Sequence, residues 1–356
     1  MADQQSPDVT AAVAERRPRY LAEIAAGVER FFEPRRADCP WCGSDRLSVR
    51  LRTTDLLQHK PGRFILEQCG ECAHIFQNPR LNGDGLEFYY RDIYDGLGEA
   101  KMNSMFEASA RGYRSRAEMI SPHHTPVCWL DVGMGHGHFC REAKEVHPDT
   151  VFDGLDISAG VELAQERGWV RKAYRGDFVD RSVDLAGEYD VISMFHYLEH
   201  TADPRAEVAA AAAALPPGGY LLIELPDPEC RWNRLVGRYW MPWLQPQHLN
   251  MIPLRNLRRA AIDSGLTPVA EQRSEAHESS DLVAALYLLL ASKFSDDDRP
   301  WHEAPPSAAR KRLCTVVWLL AVPALLVAML IDKAVAPIGR DRGMSNAYRF
   351  LATKPG

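Results

Sequence analysis

From residue 126 onward the apolar residues gather in short runs at 127–132, 151–155, 190–195 and 220–225, with helix-length amphipathic stretches between them. Short continuous runs alternating with helices are the pattern of strands buried on both faces of a parallel sheet, so the chain reads as α/β. The clearest helix covers 204–215. Asp203 can cap it, Pro204 suits its first turn, and Pro216-Pro217-Gly218-Gly219 stops it. Another helix over 253–265 ends at Gly265, and "TPVAEQRSEA" and "SNAYRFLATKP" read as two final strands.

Ahead of this unit the pattern is different. Residues 9 to about 37 place apolar side chains at helical spacing, which predicts an amphipathic helix within 1–37. In 38–80, Leu47, Val49 and Leu51 alternate with polar residues and a second apolar run covers Phe64 to Leu66, which predicts a small β-hairpin. Residues 81–125 read as a helical linker to a domain built from 126–277 and 345–356. Residues 278–344 form a hydrophobic helical insertion, within which 314–331 is eighteen residues without a charge, flanked by Arg310-Lys311-Arg312 and Lys333.

The chain has 356 residues, 46% hydrophobic and 25% charged, with a formal net charge of -6. This is globular composition, and its basic residues are scattered, so no nucleic-acid partner is expected. The first twenty residues mix acids with arginines and lack the apolar core of a secretory signal; a cytoplasmic protein is expected. Four of the eight cysteines form two tight pairs, Cys39/Cys42 and Cys69/Cys72, with 26 residues between the pairs. Two such knuckles at the ends of a hairpin are the spacing of a four-thiolate zinc ribbon. Its closed ligand sphere makes the zinc structural.

"WLDVGMGHGHF", residues 129–139, carries the strand into alternating glycines. A dinucleotide fingerprint would need a third glycine at His138 or Cys140, and neither register fits. What stands there is Asp131-x-Gly133-x-Gly135-x-Gly137. This resembles the first motif of class I S-adenosylmethionine-dependent methyltransferases. "VFDGLDIS", "RGDFVD", "YDVISMFHYLEHTADP" and "LPPGGYLLIELP" resemble the family's later motifs in order and spacing. The resemblance implies a Rossmann-like sheet of order 3-2-1-4-5-7-6 with the last strand antiparallel and the insertion before it. It implies S-adenosylmethionine as cofactor, bound by Asp131, Gly133, Gly135, Gly137, Asp156 with Ile157 beside it, Asp177 and Phe178. In the family the acid at the position of Asp156 holds the ribose, and the turn at Asp177 and Phe178 meets the adenine. On the residues alone, the alternatives are that Asp156 caps a helix and Asp177 serves a turn.

A zinc ribbon, "HIFQNPR" and then this domain resemble bacterial methyltransferases of sugar, cell-envelope and secondary-metabolite pathways, in which the ribbon is a lid or substrate platform. The implied acceptor is small or linked to glycan or lipid, methylated at oxygen or carbon with a histidine as base. His248 in "QPQHLNMIPLRNL" resembles the segment that supplies the base in sugar methyltransferases, although Gln247 stands where those have Glu. His200 and His196 in "FHYLEH" are further candidates. Tyr89, Tyr90 and Tyr94 could close over the cofactor or pack between ribbon and sheet. Two other readings are a non-catalytic cofactor-binding module whose ribbon recruits a partner, and an RNA methyltransferase. The segments 281–294 and 314–331 are candidates for peripheral, monotopic or re-entrant contact at the inner face of a membrane, or for a soluble cap. A single crossing conflicts with the resemblance, because the last strand must return to the sheet.

Overall fold

The computed structural model describes residues 7–93, 97, 109–273, 279–339 and 343–356. Tyr94 and the end of the predicted strand beyond Arg273 lie outside them. The leading helix is shorter than its periodicity predicts. It covers Pro7–Ala25, and Gly27, at φ 93°, ends the run before a 3₁₀ turn at Val28–Phe31. The helix is held by an aromatic cluster of Tyr20, Phe31, Phe64, Phe88, Tyr89 and Trp301. Inside this cluster the buried Lys60 ammonium donates to the carbonyls of Phe88 at 2.7 Å and Arg91 at 2.6 Å.

The predicted hairpin is β1 (Leu47–Thr53) paired antiparallel with β2 (Phe64–Cys69), and β3 (Ile75–Gln77) extends it. The small sheet does not end there. A two-residue strand from far along the chain, β9 (Asn250–Met251), pairs with β3 through Ile75↔Met251 and Phe76↔Asn250.

The large sheet holds β4 (Cys128–Val132), β5 (Val151–Asp156), β6 (Ala173–Arg175), β7 (Val191–Phe195), β8 (Tyr220–Pro226), β10 (Thr267–Gln272) and β11 (Ala347–Thr353). Its order is β10-β11-β8-β7-β4-β5-β6, and β11 runs antiparallel to both neighbours. Numbered within the domain this is 3-2-1-4-5-7-6 with the last strand reversed, the order the resemblance implies. Every residue of β7 is buried, and β8 is buried after Tyr220, because helices cover both faces. The helix Pro204–Ala214 is capped by Asp203, which accepts from the N–H groups of Arg205 and Ala206 at 3.1 Å.

The insertion is a helical hairpin. Asp281–Ala291 packs against the 32-residue helix Ala308–Gly339. Asp332, 1% exposed within the apolar helix, accepts from the first N–H groups of its partner, Leu282 at 3.1 Å and Val283 at 2.9 Å. Both ends of the hairpin hold to the same body. At the base Asn346 Nδ2 and Trp240 Nε1 donate to Asp281; at the tip Trp301 Nε1 donates to the Gln58 carbonyl. Leu313, Val316, Leu319, Leu320, Leu326, Val327 and Leu330 are each at least half exposed along the outer face.

Candidate active site

Three glycines follow β4, and each is required for its own reason. A Cβ on Gly133 would stand 2.5 Å from the Tyr197 ring, and one on Gly137 2.7 Å from Ala164 Cβ. Gly135, at φ 53°, has open space where its side chain would be. It is therefore the point where a ligand can lie directly on bare backbone. Its N–H donates to Asp156 Oδ2 at 2.8 Å, and Asp156 Oδ1 accepts from Ser158 at 2.8 Å. Asp156 thus ends β5 facing the glycine loop, and Ile157 beside it is 70% exposed, an apolar surface for a flat ring. A bare glycine, a carboxylate able to accept from a diol and an exposed apolar side chain fit S-adenosylmethionine.

Three of the expected cofactor residues make other contacts. Phe178 is fully buried and packs in the sheet's core with Leu155 and Tyr189, so its ring supports the turn from beneath instead of lying beside an adenine. Asp131 is 3% exposed, and its carboxylate accepts from Ser193 Oγ at 2.6 Å, tying β4 to β7. Burial pushes its acid up to about 7 despite that bond and the charge of Arg116. Asp177 caps the short helix Phe178–Arg181 by accepting from Val179 N–H at 2.9 Å, the turn role that its residue type allows, and its side chain stays exposed.

The C-terminal ends of β7 and β8 carry a charged cluster. Glu224 on β8 is completely buried. Burial alone would raise its acid, but Arg116, His196 and Arg349 outweigh that and hold it well below the carboxylate range. Arg116 Nε donates at 2.9 Å and Arg349 Nε at 2.5 Å. His196, at φ 51°, bonds Glu199 through Nδ1 at 3.1 Å and Glu224 through Nε2 at 3.0 Å. Burial lowers its proton affinity, yet the two carboxylates raise it to about 9. An imidazolium held between two anions has no free lone pair, which removes His196 as a base.

His248 and His200 do meet. Their rings are edge to face at 4.6 Å. His248 Nδ1 lies 2.7 Å from the Pro242 carbonyl and donates to it, so Nε2 carries the lone pair, 4.0 Å from Glu199 Oε1. Burial and the neighbouring His200 pull His248 down to about 3, so it is neutral. His200 Nδ1 is 2.6 Å from Tyr90 Oη and 3.1 Å from the Gln247 carbonyl. Burial lowers its basicity, partly offset by Glu199 and by Asp156, which puts it within the field of the cofactor-side acid. Gln247 is buried and donates to the Tyr89 carbonyl. The carboxylate that faces His248 is Glu199 of another element, 4.0 Å from Nε2. Tyr89 itself bonds the Pro61 carbonyl within the aromatic cluster. Glu224, Arg116 and Arg349 went unnoticed in the sequence, though a lone charge inside "YLLIELP" and another inside "AYRFLAT" were the signal: charges in buried strands need partners.

At the ribbon the four thiols converge. Cys39 Sγ lies 3.7 Å from Cys72 Sγ and Cys42 Sγ 3.6 Å from Cys69 Sγ, with all four within 4.8 Å of one another. A disulfide needs about 2.0 Å, whereas a tetrahedron of metal–sulfur bonds of about 2.3 Å has edges of about 3.8 Å. The ribbon also seats the histidines. His74 Nε2 is 3.0 Å from Asn250 Oδ1, and Gln77 Nε2 donates to Gln245 Oε1 at 2.9 Å, on either side of His248.

Residues 105–271 match a family model described as a methyltransferase domain. The ubiquinone biosynthesis O-methyltransferase of Bordetella avium is 27% identical over 150 residues, 39% of this chain and 61% of that protein. The protein of the same description from Marinobacter nauticus is 33% identical over 101 residues, 26% of this chain and 42% of its own length. The chain therefore spans less than two thirds of either relative. Among solved structures, a SAM-dependent methyltransferase from Archaeoglobus fulgidus superposes with a TM-score of 0.47 at 16% identity, over 72% of this chain and 99% of that one.

Proposed function

From the premise that residues 105–271 form an S-adenosylmethionine-dependent methyltransferase domain, we propose that the protein methylates a hydroxyl oxygen of a small or lipid- or glycan-linked acceptor. The observation that carries this reading is the pairing of Gly135, open to solvent and at φ 53°, with Asp156 across the mouth between β4 and β5. The cofactor, when bound, supplies a sulfonium methyl group for in-line displacement, with the sulfur keeping the electron pair. Asp156 holds the ribose hydroxyls, Gly135 lets the chain of the cofactor approach the backbone, and Ile157 covers the adenine. Glu199, His200 and His248 are the groups that meet the acceptor oxygen as it loses its proton. Glu224, Arg116, Arg349 and His196 lock the ends of β7, β8 and β11, so these groups keep their positions while the acceptor aligns.

Zinc in the cysteine cluster is structural in this reading, and the ribbon is the platform that orients His248. The exposed face of Ala308–Gly339 rests on the inner surface of a membrane, and an apolar acceptor enters from there. A small recess of about 20 Å³ lined by Trp240, Trp243, Leu244 and Leu288 lies between the helical hairpin and the segment that carries His248.

Titration calorimetry tests the core of the proposal. Wild type should bind both S-adenosylmethionine and S-adenosylhomocysteine, and Asp156→Ala should weaken both by about 1.5 to 3 kcal/mol, the range for a hydrogen bond to a charged group. Equal affinities in a folded variant would overturn the assignment.

A further inference from the structure

We propose that Glu199, His200 and His248 form a site for a divalent first-row transition-metal ion, distinct from the cysteine cluster. The three residues come from two elements: the 3₁₀ turn Leu198–His200 after β7, and the segment between β8 and β9 that the ribbon pins. One carboxylate oxygen and one nitrogen from each ring lie within 4.8 Å of one another. Two imidazoles and a carboxylate suit iron, cobalt, manganese or zinc; magnesium and calcium prefer sets made wholly of oxygen.

The surroundings look like those of a metal site. His248 is fixed in the tautomer a ligand needs, because Nδ1 donates to the Pro242 carbonyl and leaves the Nε2 lone pair turned toward Glu199. At 4.0 Å the gap between His248 Nε2 and Glu199 Oε1 is too long for a hydrogen bond. Bonds of about 2.1 Å to a shared ion would draw the two atoms together by under about 1 Å. Tyr90 and the Gln247 carbonyl orient the ring of His200. Glu199, 1% exposed, has a second oxygen, Oε2, that is buried with no hydrogen-bond partner. Native proteins seldom leave a carboxylate oxygen so, and a cation satisfies it. His200 is only partly buried, which gives an ion and an acceptor oxygen a way in. Three protein ligands leave open positions, and a hydroxyl bound at one would ionise more readily, as metal-bound water does. The two histidines then act as ligands and not as proton acceptors. This role rests on the methyl-transfer reading; the site itself does not.

The test uses the full chain with its cysteine site loaded with zinc, titrated with Co²⁺. Wild type should take up one equivalent with the weak visible bands of nitrogen and oxygen ligation and without the intense thiolate charge-transfer bands. Glu199→Gln and His248→Ala should each weaken that uptake by more than the roughly 10 to 100-fold that loss of an outer-shell partner costs. Retained zinc and retained S-adenosylhomocysteine affinity show that a variant is folded, and His200→Gln replaces one that is not. Absence of this equivalent in wild type, or its persistence in two folded variants, overturns the site. Loss of cofactor binding by wild type would sink the methyltransferase reading and leave the cobalt count standing, so the two failures are distinguishable.

Discussion

Asp131 shows how a residue of the glycine motif can serve the fold more than the ligand. It ties β4 to β7 through Ser193, and burial raises its acid from 3.8 to about 7. A raised carboxyl in the folded chain binds its proton more tightly than in the unfolded chain. Its contribution to stability is therefore complete below about pH 4 and is lost as pH rises through about 7. Asp131→Asn keeps an oxygen for Ser193 and cannot ionise. We expect its thermal midpoint to match wild type near pH 4 and to rise above it progressively up to pH 8. A constant difference across that range would show that the shift is not carried by this carboxyl. The glycines were legible as a motif, but their separate duties were not, since Tyr197 and Ala164 crowd Gly133 and Gly137 from other elements.

At the level of elements, the ribbon and the segment that carries His248 form one sheet. β3 pairs with β9, two residues past His248, and His74 and Gln77 bond the segment on either side of it. Chelating the zinc proposed at the cysteines should loosen this edge and misplace His248 without touching Gly135 or Asp156. Turnover should fall by roughly 100-fold, the scale of an ångström-sized misplacement, while S-adenosylhomocysteine affinity stays as it was. Metal analysis, kinetics and calorimetry on one preparation check this. Equal losses of turnover and cofactor affinity would mean that the ribbon supports the whole domain. β9 is not legible in the sequence, because a two-residue strand has no periodicity to read.

For the whole molecule the decisive feature is a long apolar helix whose two ends are fixed to one body. A 32-residue helix is about 48 Å long, enough to cross a bilayer. Only 11% of its most apolar window is buried. Yet near one end Asp332 caps the helix whose Asp281 is held by Trp240 and Asn346, and just before the other end Trp301 Nε1 donates to the Gln58 carbonyl. Contact along its length satisfies both facts. The protein should sediment with anionic liposomes through apolar burial worth about 25 cal/mol per Å² and about 1 kcal/mol from each nearby basic residue. Reversing Lys311 and Arg312 to Glu should weaken binding by at least about 2 kcal/mol, roughly 30-fold. Tags at residues 300 and 356 should report the same compartment. No sedimentation would leave the hairpin as a soluble cap, and opposite compartments would refute the anchoring of both ends.

Local pattern along the chain is enough for the sheet, for its order through the motifs it resembles, for the cysteine cluster and for the glycine loop. Each of these is written in local periodicity or in spacing along a few dozen residues: strands of five or six, a cap before Pro204, two pairs of cysteines. The three-residue β6 and the two-residue β9 fell below that resolution. Packing in three dimensions sets which charged groups meet. Glu224, Arg116 and Arg349 come together from three elements, up to 233 positions apart, because burying any of them alone costs more than a fold can bear. It also separated three histidines of similar sequence appearance. His196 lies between two carboxylates and holds a proton; His248 and His200, facing one carboxylate with a bare oxygen, are left to bind something else.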